Sequence, residues 1–385
     1  MASTKTVIIL GAGWAGLPLA HKLLKYTSLK TSLKVILISP NSHFFWNVAA
    51  TRALIPGMIP DESIFIPIAT GFRHYSADTF EFILGRATGI QSSSNSVAVL
   101  ANNGESRIFH YHHLVIATGS SMASGLPLKP IGTHEEMLTA WHDLQAKVND
   151  AKDIIVAGAG PTGVEVAGEL AAKFGKLKKI TLIMHGDVPL ESSGDLLSSV
   201  QTTLDTDLQK LGVKLIRKTR VEAVNVSSDG KTQILSLGNG STLATDLYLP
   251  MHGIQLNNSF VTDSFLDSRG NVDLNGMMRV VGTENIWAIG DVSNAGPKQL
   301  TVTDNQINYL ASALDAALTG NGPDVPYKPI NKTMIFLSLG KKYATGQIGN
   351  WRLWGVLVSY VKGRNLFIDS ANGYVGGKHL RHAPM

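Results

Sequence analysis

The sequence predicts an α/β fold in which one chain carries two parallel βαβ units, and three observations predict it. Short apolar runs lead straight into glycine-rich turns twice, at 7–16 and again at 154–163. Each turn passes into a run with helical spacing of apolar residues and then into a second apolar run, at 35–38 and at 180–184. Two further apolar runs end in Ala-Thr-Gly at 117–119 and in Ile-Gly-Asp at 289–291. Strand, tight turn and helix in that order are the fingerprint of a Rossmann-like dinucleotide-binding domain. One such turn is weak ground. Two independent ones in a single chain are strong, and they imply two dinucleotides.

In the opening unit Val7 to Leu10 form the strand and Gly11, Gly13 and Gly16 the turn. Gly11 lets the backbone turn, Gly13 lets a pyrophosphate approach the free N–H groups of a helix N-terminus, and Gly16 lets helix and strand pack closely. Leu17, Leu19, Ala20 and Leu23 supply the apolar side of the helix. A polar stretch at 26–34 leads to the second strand, Val35 to Ile38. That strand normally ends in an acidic residue that binds the adenosine ribose. Here Ser39 stands in its place. One hydroxyl instead of a carboxylate's paired acceptors predicts a weaker hold on that end of the cofactor.

The run FFWNVAATRAL at 44–54 has two readings. It is either an aromatic loop and helix packed over the sheet, or a site with Arg52 near phosphates and Asn47 to Ala50 against a flat ring. Arg73, His74 and Tyr75, with strands around 81–84 and 97–100, suggest a small β-region. LVIATG at 114–119 reads as a buried strand whose Thr118 and Gly119 let the backbone approach a cofactor where the chain crosses between domains. Residues 121–130, rich in Ser, Gly and Pro, read as the linker.

The second unit repeats the pattern with Gly158, Gly160 and Gly163, followed by Val164, Val166, Ala167 and Leu170 on a helix. Glu165 is either an exposed helical carboxylate or, one turn from the glycines, a contact for a nicotinamide ribose or amide. After the partner strand at 180–184 comes Met184-His-Gly-Asp187, neither a clean carboxylate nor a basic cluster, so the choice between NADH and NADPH stays open. Strands around Leu215, 221–226, 233–237 and 247–249 complete this domain. At 285–291 another apolar strand ends in Gly290 and Asp291. Asp291 is suited to accept hydrogen bonds from ribitol hydroxyls. Lys298, Gln299, Leu300 and Thr301 follow, where a helix N-terminus would face the pyrimidine end of the ring.

Composition limits the alternatives. With 385 residues, 44% hydrophobic and 16% charged, the chain has room for two or three domains with real cores. It contains no cysteine, which excludes disulfides, thiolate metal sites and a redox-active dithiol. A net charge of +5 and a pI near 9.2 are modest over this length, and nucleic acid is not an expected partner. The short polar lead before Val7 and the lack of a run of about 18 apolar residues predict a cytoplasmic protein. Ala2 takes the place of the glycine that myristoylation needs.

Taken together, GAGWAG (11–16), LVIATG (114–119), GAGPTGVE (158–165) and NIWAIGD (285–291) resemble the two-dinucleotide-binding-domain flavin oxidoreductases of glutathione-reductase-like architecture. These include the type II NADH dehydrogenases and the apoptosis-inducing-factor relatives. FFWNVAATRAL, TFEFILGRATGI (79–90), LSLGKKYATGQIG (337–349) and VKGRNLF (361–367) are similar to the mitochondrion-associated, apoptosis-inducing-factor-like branch, to which ferroptosis suppressor proteins belong. The resemblance implies FAD in a discontinuous domain, 1–125 with 254–320, NADH or NADPH in an inserted domain, 126–253, and a small C-terminal α+β region, 321–385. It also implies a quinone-type acceptor, with Lys362 and Phe367 beside the flavin. From the residues alone Lys362 is a surface lysine and Phe367 a core phenylalanine. An oxidase or monooxygenase tailoring a small aromatic metabolite is the alternative, for which Phe44 to Trp46 and Ser39 leave room.

The stretch 351–364 is apolar and aromatic with basic flanks. It reads either as a helix packed on the flavin domain or as a peripheral contact with a lipid or mitochondrial outer surface, Trp and Leu dipping into the interface. With one membrane signal only, such a contact is weak and reversible.

Overall fold

Val7 to Leu10 are buried on both faces, as a central parallel strand must be. The computed structural model describes residues 3–228, 230–322, 325–330 and 332–378, and Ala2 and the far end of the expected 321–385 region lie outside them. The first unit is β1 (Lys5–Leu10), α1 (Gly16–Tyr26) and β2 (Leu33–Ser39), with Val7 opposite Val35 in parallel register. A cap follows: β3 (His43–Phe45), α2 (Ala50–Ala53), β4 (Phe65–Pro67) and α3 (Ile68–Phe72). The long strand β5 (Phe80–Gln91) runs parallel to β2 as far as Leu84, then from Gly85 antiparallel to β6 (Ser96–Ala101), with a register shift inside that pairing between Ala87 and Gly89. With β7 (Ser106–His110) outermost, the expected small β-region is present as a continuation of the main sheet. β8 (His113–Ile116) returns beside β1.

The chain then crosses through β9 (Ser120–Met122) to α4 (His134–Asp150), which opens on a capping box between Thr133 and Glu136. The second unit is β10 (Asp153–Ala157), α5 (Pro161–Phe174), β11 (Lys179–Ile183), α6 (Ser198–Lys210) and β12 (Lys214–Ile216). An antiparallel sheet of β13 (Val221–Val226), β14 (Gln233–Leu237) and β15 (Thr242–Thr245) precedes the return strand β16 (Leu247–Pro250). β17 (Ile254–Leu256) crosses back, paired antiparallel with β9, so the linker starts as half of a two-stranded bridge. β18 (Ile286–Ala288) joins β8 in the first sheet, and α7 (Leu300–Thr319) follows. Last come β19 (Met334–Leu339), β20 (Tyr343–Ile348), β21 (Trp351–Leu353), α8 (Gly355–Val358) and α9 (Ala371–Val375).

The first sheet has seven strands in the order β18-β8-β1-β2-β5-β6-β7, and the second has four, β12-β11-β10-β16. The first is thus assembled from two separate stretches of chain, with the second inserted between them. Alternation along β1 feeds two cores. Val7 and Ile9 enter one that continues through Ile154, Val156 and Leu182 of the second unit, while Ile8 and Leu10 enter another on the opposite face.

The expected helix over 351–364 is corrected. Its first residues form the edge strand β21, α8 is a single turn, and 359–363 continue as a π-turn. Trp354 is extended, and a Cβ on Gly355 would lie 2.5 Å from Ala344 O, so the helix starts no earlier. Nor does its apolar face pack inward. Trp351, Trp354 and Val356 are 80%, 84% and 85% exposed, while Val358 and Lys362 turn into the fold.

Candidate functional site

The two glycine turns repeat one geometry. Gly11 and Gly158 have φ of +105° and +115°, and a Cβ on either would fall within 2.4 and 2.7 Å of the carbonyl oxygens of Ala117 and Met251. Cβ atoms on Gly16 and Gly163 would each lie 1.9 Å from the first glycine's carbonyl. Gly13 and Gly160 differ. Neither has positive φ, and a Cβ on either would meet nothing within 4 Å. Nothing inside the protein requires glycine there. The space left there would admit a ligand pressed on the turn, beside helix N-termini whose N–H groups favour anions. Gly119, with φ +65° and open space around it, extends the first cradle. These residues fit two dinucleotides.

Around the first turn, Trp14 Nε1 donates to Asn47 Oδ1 at 2.7 Å, and the Tyr374 hydroxyl donates to Trp14 O at 3.0 Å. Trp14 packs on Phe44, Trp46 and Tyr374 with ring centres 4.7–5.0 Å apart. Phe44 and Trp46 are core residues, which removes them as the wall of an aromatic substrate pocket. Ser39 sits at the end of β2 as expected, but its hydroxyl is shared with the backbone of Asn41 at 3.2 Å.

Arg52 requires a correction. Its guanidinium is buried and taken up within the protein. Its Nε and Nη2 donate to the two carboxylate oxygens of Glu169, each at 2.8 Å, and the pair is 3% and 1% exposed. A third Arg52 bond, from Nη1, goes to Arg364 O at 3.3 Å. α2 is so short that its arginine lies flush against α5, and the guanidinium fork matches the carboxylate there. Burial raises the Glu169 carboxyl above its ordinary value, with the Arg52 hydrogen bonds and charge pulling the other way.

Glu165 is buried rather than exposed. Its Oε1 accepts Lys362 Nζ at 2.7 Å and Ser338 N at 2.9 Å, and Lys362 also donates to Phe336 O at 2.9 Å. Lys362 is therefore not a surface lysine, because the π-turn swings it inward against β19 and α5. Leu366 and Phe367 both adopt left-handed backbone, at φ +51° and +58°. Leu366 O accepts Trp46 Nε1 at 2.9 Å, and Phe367 is half-buried beside it.

At the same carboxyl end of the first sheet, where a Cβ on Gly290 would lie 3.3 Å from Ala15 Cβ, Gly290 N donates to Gln306 Oε1 at 2.7 Å. Asp291 accepts Ser120 Oγ at 2.7 Å and Lys129 Nζ at 2.6 Å. Burial works to raise the Asp291 carboxyl. The charge and hydrogen bond of Lys129, the bond from Ser120 and the charge of Lys298 outweigh it and hold the group below the usual carboxylate range. Thr118 Oγ1 donates to Asn257 O at 2.6 Å, fastening the strand end to the crossing. Lys298 Nζ donates to Asn271 Oδ1 at 2.9 Å and to Ser293 O. Burial lowers its pKa, Asp291 and Asp267 opposing. Gln299 caps α7 and Leu300 begins it, so the expected helix N-terminus is present.

Sequence reasoning missed Trp14, Ser120, Lys129, Glu169, Ser338 and Tyr374. Glu165 and Glu169, four apart on an apolar helix, were the available signal. Two carboxylates on one buried stripe require two cations from elsewhere in the chain.

Comparison with known proteins places this geometry among relatives. A family model described as pyridine nucleotide-disulphide oxidoreductase matches residues 5–307. The chain is 40% identical over 378 residues to the oxidoreductase ptaL of Pestalotiopsis fici, covering 98% of this chain and 100% of that protein. It is 27% identical over 384 residues to ferroptosis suppressor protein 1 of Homo sapiens, covering 98% and 96%. The sulfide:quinone oxidoreductase of Aquifex aeolicus shares its fold with a TM-score of 0.77 at 20% identity, over 98% of this chain and 92% of that one. The two-dinucleotide-domain flavoprotein architecture expected from the sequence is the one observed.

Proposed function

The chain belongs to the pyridine nucleotide-disulphide oxidoreductase family, which makes it an NAD(P)H-dependent flavin oxidoreductase, and from that premise we propose that it reduces a quinone-type acceptor taken from a lipid surface. The family's name includes a disulphide, yet this chain has no cysteine to form the relay such a substrate uses. Electrons leave by another route.

One observation carries the reading. Lys362 is buried on Glu165 at 2.7 Å, while the residues just before it in the chain, Trp351 to Tyr360, present an exposed apolar surface. An ammonium at the inner end of a lipid-facing strap is suited to an acceptor that arrives in lipid and becomes anionic as it is reduced. The name of the Aquifex aeolicus protein, which shares the fold, includes a quinone, whereas the 40%-identical Pestalotiopsis fici relative is named only an oxidoreductase.

FAD supplies acceptance of a hydride and onward delivery of electrons. The chain's own residues bind and orient. The Gly11–Gly16 turn and α1 would hold the FAD pyrophosphate, and Asp291 would accept the ribitol hydroxyls with an oxygen not taken by Ser120 and Lys129. The Gly158–Gly163 turn and α5 would hold the nicotinamide dinucleotide, NADH or NADPH. Glu165 fixes the Lys362 ammonium through Oε1, and Lys362 Nζ holds the proton that balances negative charge on the acceptor oxygen. Phe367, half-buried next to the Leu366–Trp46 bond, would stand beside the flavin. Among the described residues no helix is long and apolar enough to cross a membrane, so contact through the strap would be peripheral.

Burial of Phe44 and Trp46 removes one of the two residue-based grounds for the aromatic-tailoring reading, and Ser39 remains the other. The visible spectrum under anaerobic conditions tests the choice. Bleaching of the flavin band by NADH or NADPH and its return with a short-chain quinone is the expected result. Return with oxygen alone would overturn the quinone assignment.

A further inference from the structure

Resting on the reading that the Gly158–Gly163 turn holds a nicotinamide dinucleotide, a carboxylate from further along the chain decides which one. The residues directly after β11 leave the matter open, since Met184, His185 and Gly186 carry no acid. The loop then folds back. Leu190, at φ +64°, donates its N–H to Ala159 O at 2.9 Å, in the middle of the second glycine turn. That bond brings Glu191 over Gly186. Glu191 Oε2 accepts the Asp187 N–H at 2.6 Å, and a Cβ on Gly186 would fall 1.7 Å from the same oxygen. Gly186 is thus the seat of a carboxylate. Glu191 is exposed, and no lysine or arginine of the described residues pairs with it.

We propose that Glu191 selects NADH over NADPH. Held by the Leu190 bond to the glycine turn after β10 and seated on Gly186 and Asp187 just past β11, its carboxylate stands where a strand-end acid would bind the adenosine ribose. Its free oxygen accepts the 2′-hydroxyl, and its charge repels a 2′-phosphate. Two cations reach the same loop from the end of β12, and both are engaged. Arg217 Nη1 donates to Asp205 Oδ1 at 2.7 Å and to Asp187 O at 2.5 Å, and Lys218 Nζ lies 3.0 Å from Asp187 Oδ2. Carboxylates already balance them, so they do not form a phosphate clamp.

Calorimetric titration of the flavin-loaded protein with NAD⁺ and NADP⁺ tests the assignment without turnover. The wild type should bind NAD⁺ at least about tenfold tighter, a difference that Glu191→Gln should erase and Glu191→Lys reverse. Gly186→Ala, which evicts Glu191 and leaves it in the chain, should narrow the preference in the same direction as Glu191→Gln. Equal or tighter binding of NADP⁺ by the wild type, or a ratio unmoved in Glu191→Gln, overturns the role of Glu191 alone. Failure of both nucleotides to bind overturns the dinucleotide reading beneath it as well.

Discussion

Glu165 Oε1 and Lys362 Nζ stand 2.7 Å apart although 197 positions of sequence separate them. The bond ties the helix of the second glycine turn to the C-terminal strap, and both side chains are nearly excluded from water. Removing one partner strands the other's charge in the interior, at a cost of about 3–5 kcal/mol. Lys362→Met should therefore lower the melting temperature and slow quinone reduction, with flavin content retained. The double variant Glu165→Gln/Lys362→Met should recover most of the melting temperature and none of the turnover. Fluorescence melts and stopped-flow reoxidation measure the two separately. Unchanged reoxidation in the folded double variant would remove Lys362 from the reaction.

Gly13→Ala and Gly160→Ala discriminate between the two cradles. A methyl at either place meets open space, so both variants should melt like the wild type when stripped of cofactor. The methyl would instead meet the ligand. Gly13→Ala should loosen FAD, and Gly160→Ala the nicotinamide dinucleotide, each by about tenfold or more. Equilibrium dialysis of each variant against each nucleotide reads the four affinities, and a loss shared equally by both would contradict the assignment.

His21 makes stability depend on pH. Its Nε2–H donates to Val375 O at 2.8 Å, which leaves Nδ1 to accept the Tyr75 hydroxyl at 3.2 Å, and the ring stacks on Phe72. Burial first, opposed by the Val375 bond and aided by His74 and Lys25, lowers its pKa from 6.5 to about 4. Between those values the unfolded chain holds a proton that the folded chain refuses. Stability is thus complete above the unfolded value and falls as the pH drops toward the folded one, by about 3 kcal/mol for this group. His113, also lowered to about 4, adds to the slope. The melting temperature should fall from pH 7 to pH 4.5, less steeply in His21→Asn; an identical slope in that variant would refute the role of His21.

The strap's exposed tryptophans should govern membrane contact. Trp351→Ser/Trp354→Ser removes two large apolar groups that touch little of the fold, so spectrum and melting should stay as they were. Flotation with anionic vesicles should capture the wild type weakly and the variant less. Capture independent of both residues would place the lipid contact elsewhere.

The strands and glycine turns were legible in the sequence because their signals are local: a β-branched run, a glycine spacing, a helical repeat. What escaped it was pairing across distance. Arg52 carries nothing that names Glu169 as its partner, and an arginine beside an aromatic run looks like a phosphate ligand until α5 is brought against it. The 351–364 stretch misled for a related reason. Its composition suits a helix, but the close approach of Gly355 to β20 admits only a strand, one turn and a π-turn. Glu191 was hidden because a fold-back loop, and not the end of a strand, delivers it.

The C-terminal stretch, from Lys362 to Val375, also orders events in time. It supplies the ammonium on Glu165, the carbonyls that receive Arg52, Trp46 and His21, and the Tyr374 hydroxyl on Trp14. A ribosome makes it after everything it fastens. Until it emerges, both glycine turns exist on a nascent chain in which Glu165 lacks its ammonium and the Trp46 indole N–H its acceptor. A message truncated ahead of Lys362 would then yield two nearly complete nucleotide folds and no finished centre, a product for chaperones and proteases rather than a slower enzyme.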